Sequence, residues 1–532
     1  MTLRLAASTI AVFGILSGAG SAQAPAPVPV KPGAIAGTIT AADTGKPLRR
    51  ARVTFRPVAG GVGSMSSAYT NSRGQYQLKD VEPGSYYVSA NRSGYVGVQY
   101  GQRHASESGL AVQVKPGAAV TRIDVALPRG SVIAGRITDD VGDPYPGVRV
   151  DVLGFRYNNG TRVPFPVNGA TTDDLGQFRV SGLAPGNYYV MATSSETWRT
   201  AQKETFGFGS TYYPGVPLGQ AQSVTLGVGE IRTDVIFSVR SGRAARIRGR
   251  VVRETGEPVA NAFVGLSISF GVAVASGGRS TRSAADGSFE FREVPTGTYL
   301  VGDEEIAVDG ADIDDVVMVV KTGSTVTGTV VSADGTPLPF ASSGVRILNQ
   351  AWSRKVLPRV AVVDVDNKWA FKMTNLGGEF LFRVIGLPEG WMLDAVLLGD
   401  KDITDVPWEV PTGGKEFDNL KIVVTHRQGT IAGVVLDVKG QPTTSASVIV
   451  FSENAQHWTP YSRLVRIVRP GAEGQFSITA LPAGTYRAVA LDYVEPGKHE
   501  DKAFLESIRD EGMRIVLAEG GSESVTLRMP LR

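Results

Sequence analysis

The chain of 532 residues contains no cysteine, which excludes a disulfide framework, thiolate metal ligands and a lipid-modified N-terminal cysteine. Its domains must therefore be held by packing alone. Histidine is nearly missing too, with 4 in the whole chain, so a histidine-built metal centre has little to draw on. Charge of one sign is not in excess: 54 Lys and Arg stand against 51 Asp and Glu, for a formal net charge of +3. No polybasic stripe tracks phosphates, and nucleic acid is not expected as a partner. Beyond the N-terminus no apolar run approaches the roughly 20 residues that span a bilayer, so no transmembrane segment is expected in the mature chain. Gly-x-Ser-x-Gly elbows and phosphate-loop motifs are also missing.

Glycine and proline are plentiful, at 64 and 30 residues, beside 42% hydrophobic residues. That composition, without a Gly-X-Y period, points to an all-β chain rich in turns. Residues 1–24 read as an export signal: Arg4, an apolar run from Leu5 to Leu16, then small residues to Ala24, with cleavage expected after Ala22. Residues 25–32 form a proline-rich spacer. The mature protein is thus expected outside the cytoplasm, in the periplasm, at the cell surface or in the medium.

One unit then recurs five times. It opens on a glycine within a β-branched run, at Gly37, Gly135, Gly249, Gly328 and Gly433. These openings lie roughly 80 to 115 residues apart, a domain-sized rather than solenoid-sized period. A Gly-x-Pro turn follows each time, as in Gly142-Asp-Pro144, and should reverse the chain so that the next run, such as Val148-Arg-Val150, pairs back. Next come two aromatic residues ten apart, Tyr76 and Tyr86, Phe178 and Tyr188, Phe289 and Tyr299, Phe476 and Tyr486, read as one hairpin with both rings on one face. In the fourth copy Trp369 and Phe380 take this role eleven apart, with Asn367 in place of the usual glycine. Closing strands are expected near Val125, Val235, Val316, Leu420 and Val525, and one weak helix over 501–509. These boundaries give five sandwiches, 33–130, 131–241, 242–321, 322–426 and 427–532. Linkers this short predict an extended, end-to-end array.

The order Gly-x-Val or Gly-x-Ile, Gly-x-Pro, a valine-rich run, Gly-x-Phe or Gly-x-Tyr, then Pro-Gly or Pro-x-Gly leading to Tyr resembles the carboxypeptidase regulatory-like domain. The resemblance implies a prealbumin-like, seven-stranded β-sandwich, often classed with carbohydrate-binding-like folds. The later copies, with Trp391 to Val396 and Gly399 to Asp405, look like multi-copy secreted bacterial members. Such sandwiches host many unrelated roles.

His104-Ala-Ser-Glu107 matches the His-x-x-Glu zinc spacing of metallocarboxypeptidases. The next histidine is His426, three units away, so zinc is not expected, and no cofactor is. Asp309 to Asp315 offers carboxylates without the EF-hand order, and Asp173, Asp174 and Asp286 are explained by Asx turns. Aromatic residues on variable loops of the first two units, Tyr95, Tyr100, Trp198, Tyr212 and Tyr213, are the candidate ligand-binding residues, suited to a sugar ring or an extended peptide. Packing at domain junctions is the competing role for the same rings. The expected protein is a non-catalytic, exported binding module for carbohydrate or an envelope protein. The alternatives are a purely structural array of the envelope and, less favoured, an accessory part of a metallocarboxypeptidase-type system.

Overall fold

The computed structural model describes residues 31–58, 65–104, 107–269, 278–302, 304–352, 361–471 and 473–530. The export signal, its cleavage point and the spacer up to residue 30 lie outside the described residues. Within them the repeat folds into two-sheet sandwiches in tandem, the all-β architecture that the alternation predicts. In the second unit the opening strand, Ser131–Thr138, lies in the middle of a three-stranded sheet. It runs antiparallel to Gln177–Leu183 on one side and parallel to the closing strand, Ile231–Ser238, on the other. The facing sheet pairs Thr161–Thr171 with Arg149–Asn158, and that strand with Gly186–Thr193. The other opening strands, Gly33–Ala41, Ala245–Arg253, Ser324–Ser332 and Gly429–Leu436, have the same two neighbours, one antiparallel and one parallel.

The parallel pair explains the recurrent glycine. A Cβ on Gly135 would lie 1.8 Å from the Val235 carbonyl oxygen. At Gly37, Gly249, Gly328 and Gly433 the same atom would come within 2.1, 2.1, 2.2 and 1.9 Å of the carbonyl oxygens of Ile123, Val316, Leu420 and Val525. Glycine is required by the close approach of the closing strand, not by backbone conformation.

Three local expectations are corrected. The Gly-x-Pro turn makes a single bridge, such as Thr138 to Pro144, and then carries the chain into the other sheet, so the following run does not pair back on the opening strand. Nor do the two aromatic strands form a hairpin: Gln177–Leu183 and Gly186–Thr193 belong to opposite sheets. Phe178 and Tyr188, 4% and 6% exposed, enter one core from its two walls. A hairpin and a sheet-to-sheet crossing both need a tight turn after an alternating run, so the pattern does not separate them. The Tyr188 hydroxyl is tied to the rim by donating to the Ala184 carbonyl at 2.7 Å, as Tyr86 and Tyr486 do to the carbonyls of Glu82 and Pro482.

In the fourth unit the residue opposite Gly328 is Phe371, as Phe178 is opposite Gly135, so the inward pair is Phe371 and Phe380. Trp369 instead occupies the left-handed turn position (φ 63°) that Gly176 holds (φ 71°) in the second unit, and it is Trp369, not Asn367, that replaces the glycine. The turn persists because Asp366 accepts from the backbone N–H groups of Lys368 and Ala370, both at 2.8 Å. The helix forms over Lys502–Ile508, capped by Asp501, whose carboxylate accepts from the Ala503 N–H at 2.9 Å.

The largest departure is in shape. Instead of continuing outward, the fifth unit lies back against the first and second. Arg469 reaches carbonyls of Gly101 and Ser108, and Gly160 sits where a Cβ would be 2.4 Å from the Glu500 carbonyl oxygen. A short linker limits how far consecutive units can separate, but it does not fix the angle at which they meet.

Candidate functional site

The rings singled out in the sequence do not come together. Tyr95 and Tyr100 are half-buried against the core of the first unit, with the Arg129 guanidinium 5.8 Å from the Tyr95 ring centre. Tyr213 is half-buried and meets Phe237 edge-on at 6.0 Å. Tyr212 is 4% exposed, packed with Leu153, Met191 and Ile268 at the junction of the second and third units, and offers no open face. Burial pushes its phenol well above the usual range. Trp198 alone of the five is exposed, at 36%. It stands on a small sheet of its own, formed by Thr197–Arg199, Thr205–Phe208 and Ser241–Arg243. Phe206, opposite it on the neighbouring strand, lies 6.1 Å away at 26°, and Phe208 lies 4.9 Å away, so two rings brace the indole. Arg199 and Thr197 reach Glu293 of the third unit at 3.2 and 3.3 Å, which ties this ledge to its neighbour.

The His-x-x-Glu pair has a different occupation. The Glu107 carboxylate, 7% exposed as a residue, takes the Arg103 guanidinium at 3.0 Å and that of Arg469 from the fifth unit at 3.2 Å. His104 places its ring 4.1 Å from that of Tyr493. Arg103 also donates to the Asp492 carbonyl at 3.0 Å. Burial raises the Glu107 carboxyl, but the backbone N–H and guanidinium of Arg103 and the charge of Arg469 more than offset this, leaving it below its ordinary value. The same burial lowers Arg469, so the ion pair contributes less than its geometry alone suggests. Among the described residues no group of three or more histidines and carboxylates is placed to hold a metal ion. Asp312 and Asp314 are taken by Arg246 and Arg248 at 3.2 and 2.7 Å, and Asp173 accepts from two backbone N–H groups of its own turn. A chelator is expected to leave the melting temperature unchanged, whereas a drop that is absent in His104→Ala would reveal a structural metal.

Sequence reasoning missed a cavity of about 680 Å³ between the fourth and fifth units. One wall is built by strands Arg346–Ala351 and Gly378–Ile385 with the turn at Trp391, the other by the segment 461–467 and His499. Arg383, Arg463 and Arg466 all line it. Arg463 grips the Asp405 carboxylate through Nε at 3.0 Å, and Arg383 lies 3.7 Å from the same group while donating to the Thr404 carbonyl at 2.6 Å. Burial, the cost of which Asp405 only partly offsets, pushes the Arg383 guanidinium down to about 10. The sequence signal was Arg463, Arg466 and Arg469 at every third position in an apolar run. Which of them would meet Arg383 depends on how two domains dock, and no local pattern encodes that.

Three stretches match the carboxypeptidase regulatory-like domain: residues 34–128, 132–230 and 246–303. These are the first three sandwiches; the fifth repeats the strand order of the regulatory-like units, and the fourth repeats it with two further strands, Met392–Leu398 and Lys401–Asp402, beyond its closing strand. No curated protein matches the chain. Among solved structures the chain is similar to the TIE protein of Bacillus anthracis, at 11% identity over 73% of this chain and 68% of that one, with a TM-score of 0.16. It is similar also to the full-length RrgB pilus protein of Streptococcus pneumoniae, at 9% identity over 76% and 98%, TM-score 0.15. Two B repeat units of the collagen-binding protein of Staphylococcus aureus align at 12% identity over 74% and 99%, TM-score 0.12. At such scores the likeness does not extend to the arrangement of the whole chain. Among the described residues no helix is long and apolar enough to cross a membrane.

Proposed function

We propose that this is an exported, non-catalytic binding protein of the cell envelope, which holds carbohydrate or another envelope protein against the ledge at Trp198. The regulatory-like units supply a non-catalytic framework, and the observation that carries the reading is the exposed indole, braced by Phe206 and Phe208. A flat apolar face held on a strand suits a sugar ring or a peptide backbone. Tyr95, Tyr100 and Tyr213 then serve by packing the cores of their own units, and Tyr212 by packing the junction of the second and third. A second reading, a structural array, is favoured by the contacts of the fifth unit on the first, which make a closed body out of the chain.

The two readings separate at Trp198. Trp198→Ala is expected to weaken binding of soluble envelope glycans, or of a purified envelope protein, by about thirtyfold, the loss of roughly 2 kcal/mol typical of a hot-spot aromatic. The melting temperature should be nearly unchanged, because the indole is only part-buried. Affinity electrophoresis with calorimetry reads both quantities. Equal binding by the variant would leave the structural array standing.

A further inference from the structure

Among the described residues, the cavity between the fourth and fifth units holds more positive charge than its carboxylates match. Three guanidiniums, those of Arg383, Arg463 and Arg466, share it with two carboxylates, Asp405 as the partner of Arg383 and Arg463, and Glu500 on the lining. Among the described residues no hydrogen bond or ion pair reaches the Arg466 guanidinium, which burial and the charge of Arg463 hold below its usual range. The half-buried His499 leaves its Nδ1 without a partner, and burial together with Arg466 disfavours its protonation. Enclosed cations cost free energy unless they are paired. Most of the remaining lining is apolar, including Trp391, Leu393, Ile385 and Val465 beside the polar Gln350 and Ser462, and the Trp391 ring is braced edge-on by Phe340 at 5.0 Å. A largely apolar cavity of this size with a few convergent polar groups is the usual form of a small-molecule site.

We propose that this cavity binds an amphipathic organic anion, with a carboxylate or phosphate head on Arg466 and an apolar body along Trp391 and Leu393. Because the two walls belong to different units, the bound anion also joins them. The site lies apart from the Trp198 ledge, and neither proposal depends on the other.

Isothermal titration of the full chain tests this with four probes: octanoate, octyl phosphate, octanol and inorganic phosphate. The two amphipathic anions should bind at roughly millimolar Kd or tighter, and octanol and phosphate alone at least about tenfold more weakly, since each lacks one half of the recognition. Arg466→Gln should weaken both anions by about tenfold or more through loss of a charge-assisted contact, and Arg466→Lys should retain most of the affinity. Without ligand, Arg466→Gln should melt at or above the wild-type temperature, because it removes a cation that no group among the described residues pairs. A merely structural arginine predicts the opposite shift. Anions that fail to bind at about ten millimolar, octanol that binds as well as octanoate, unchanged affinity in Arg466→Gln, or a lowered melt of that variant would each overturn the proposal.

Discussion

Tyr188→Ala should unfold the second sandwich at a temperature where the others remain folded. The ring is 6% exposed between the two sheets, and its hydroxyl holds the Ala184 carbonyl at 2.7 Å. Emptying such a site costs about 3 to 5 kcal/mol, against a total of about 5 to 15 for a typical domain. For a unit of this length that corresponds to a fall of at least about 12 °C. Tyr188→Phe keeps the ring and loses only the hydroxyl contact, about 1 kcal/mol. Scanning calorimetry should therefore show one early transition in the first variant and a small shift in the second. Equal, small shifts in both would mean that the ring does not support that core.

Arg469→Glu should open the chain. The guanidinium joins two carbonyls and a carboxylate of the first unit, and reversal of its charge sets a second carboxylate beside Glu107. Small-angle scattering should then report a radius of gyration rising from roughly 25 to 32 Å for the closed body towards roughly 40 to 50 Å for units in line. Acid should act in the same direction. Of the groups that hold the Glu107 carboxyl below its ordinary value, Arg103 belongs to the same unit and stays when the units part, whereas the charge of Arg469 is lost; that share of the closure is complete above the carboxyl's value in the open chain and is lost as the pH falls through the lower one of the closed chain. A wild-type chain already at the larger radius, or a variant that stays compact in acid and at neutrality, would place the hold between these units elsewhere.

The unit was legible in the sequence because its determinants are local. Gly135, Phe178 and Tyr188 recur in a fixed order because all three belong to one sandwich, and the all-β character follows from that recurrence. Pairing was less legible. The Gly142-Asp-Pro144 turn and the link into Gly186 look the same whether they join neighbours in one sheet or strands in two, and only the facing core decides. Trp369 was illegible for a third reason: an aspartate three residues earlier sustains a left-handed turn around a residue that normally avoids one, and spacing alone sets the ring with the inward pair. The candidate site was least legible. Arg383 and Arg466 meet only because the fourth and fifth units dock, and Tyr212 is buried because Ile268 comes from the next unit.

The place of the opening strand also sets an order of events. Its parallel neighbour is the last strand of the same unit, so in a chain emerging from its N-terminus the central strand keeps one edge unpaired for nearly the whole length of the unit, roughly 80 to 115 residues. Each sandwich can close only when its final strand has arrived, and the contacts between Glu107 and Arg469 must wait for the fifth. Maturation of this protein is thus timed by delivery of C-terminal segments, and a chain truncated within any unit leaves that unit with an open edge ready to pair with a neighbouring molecule.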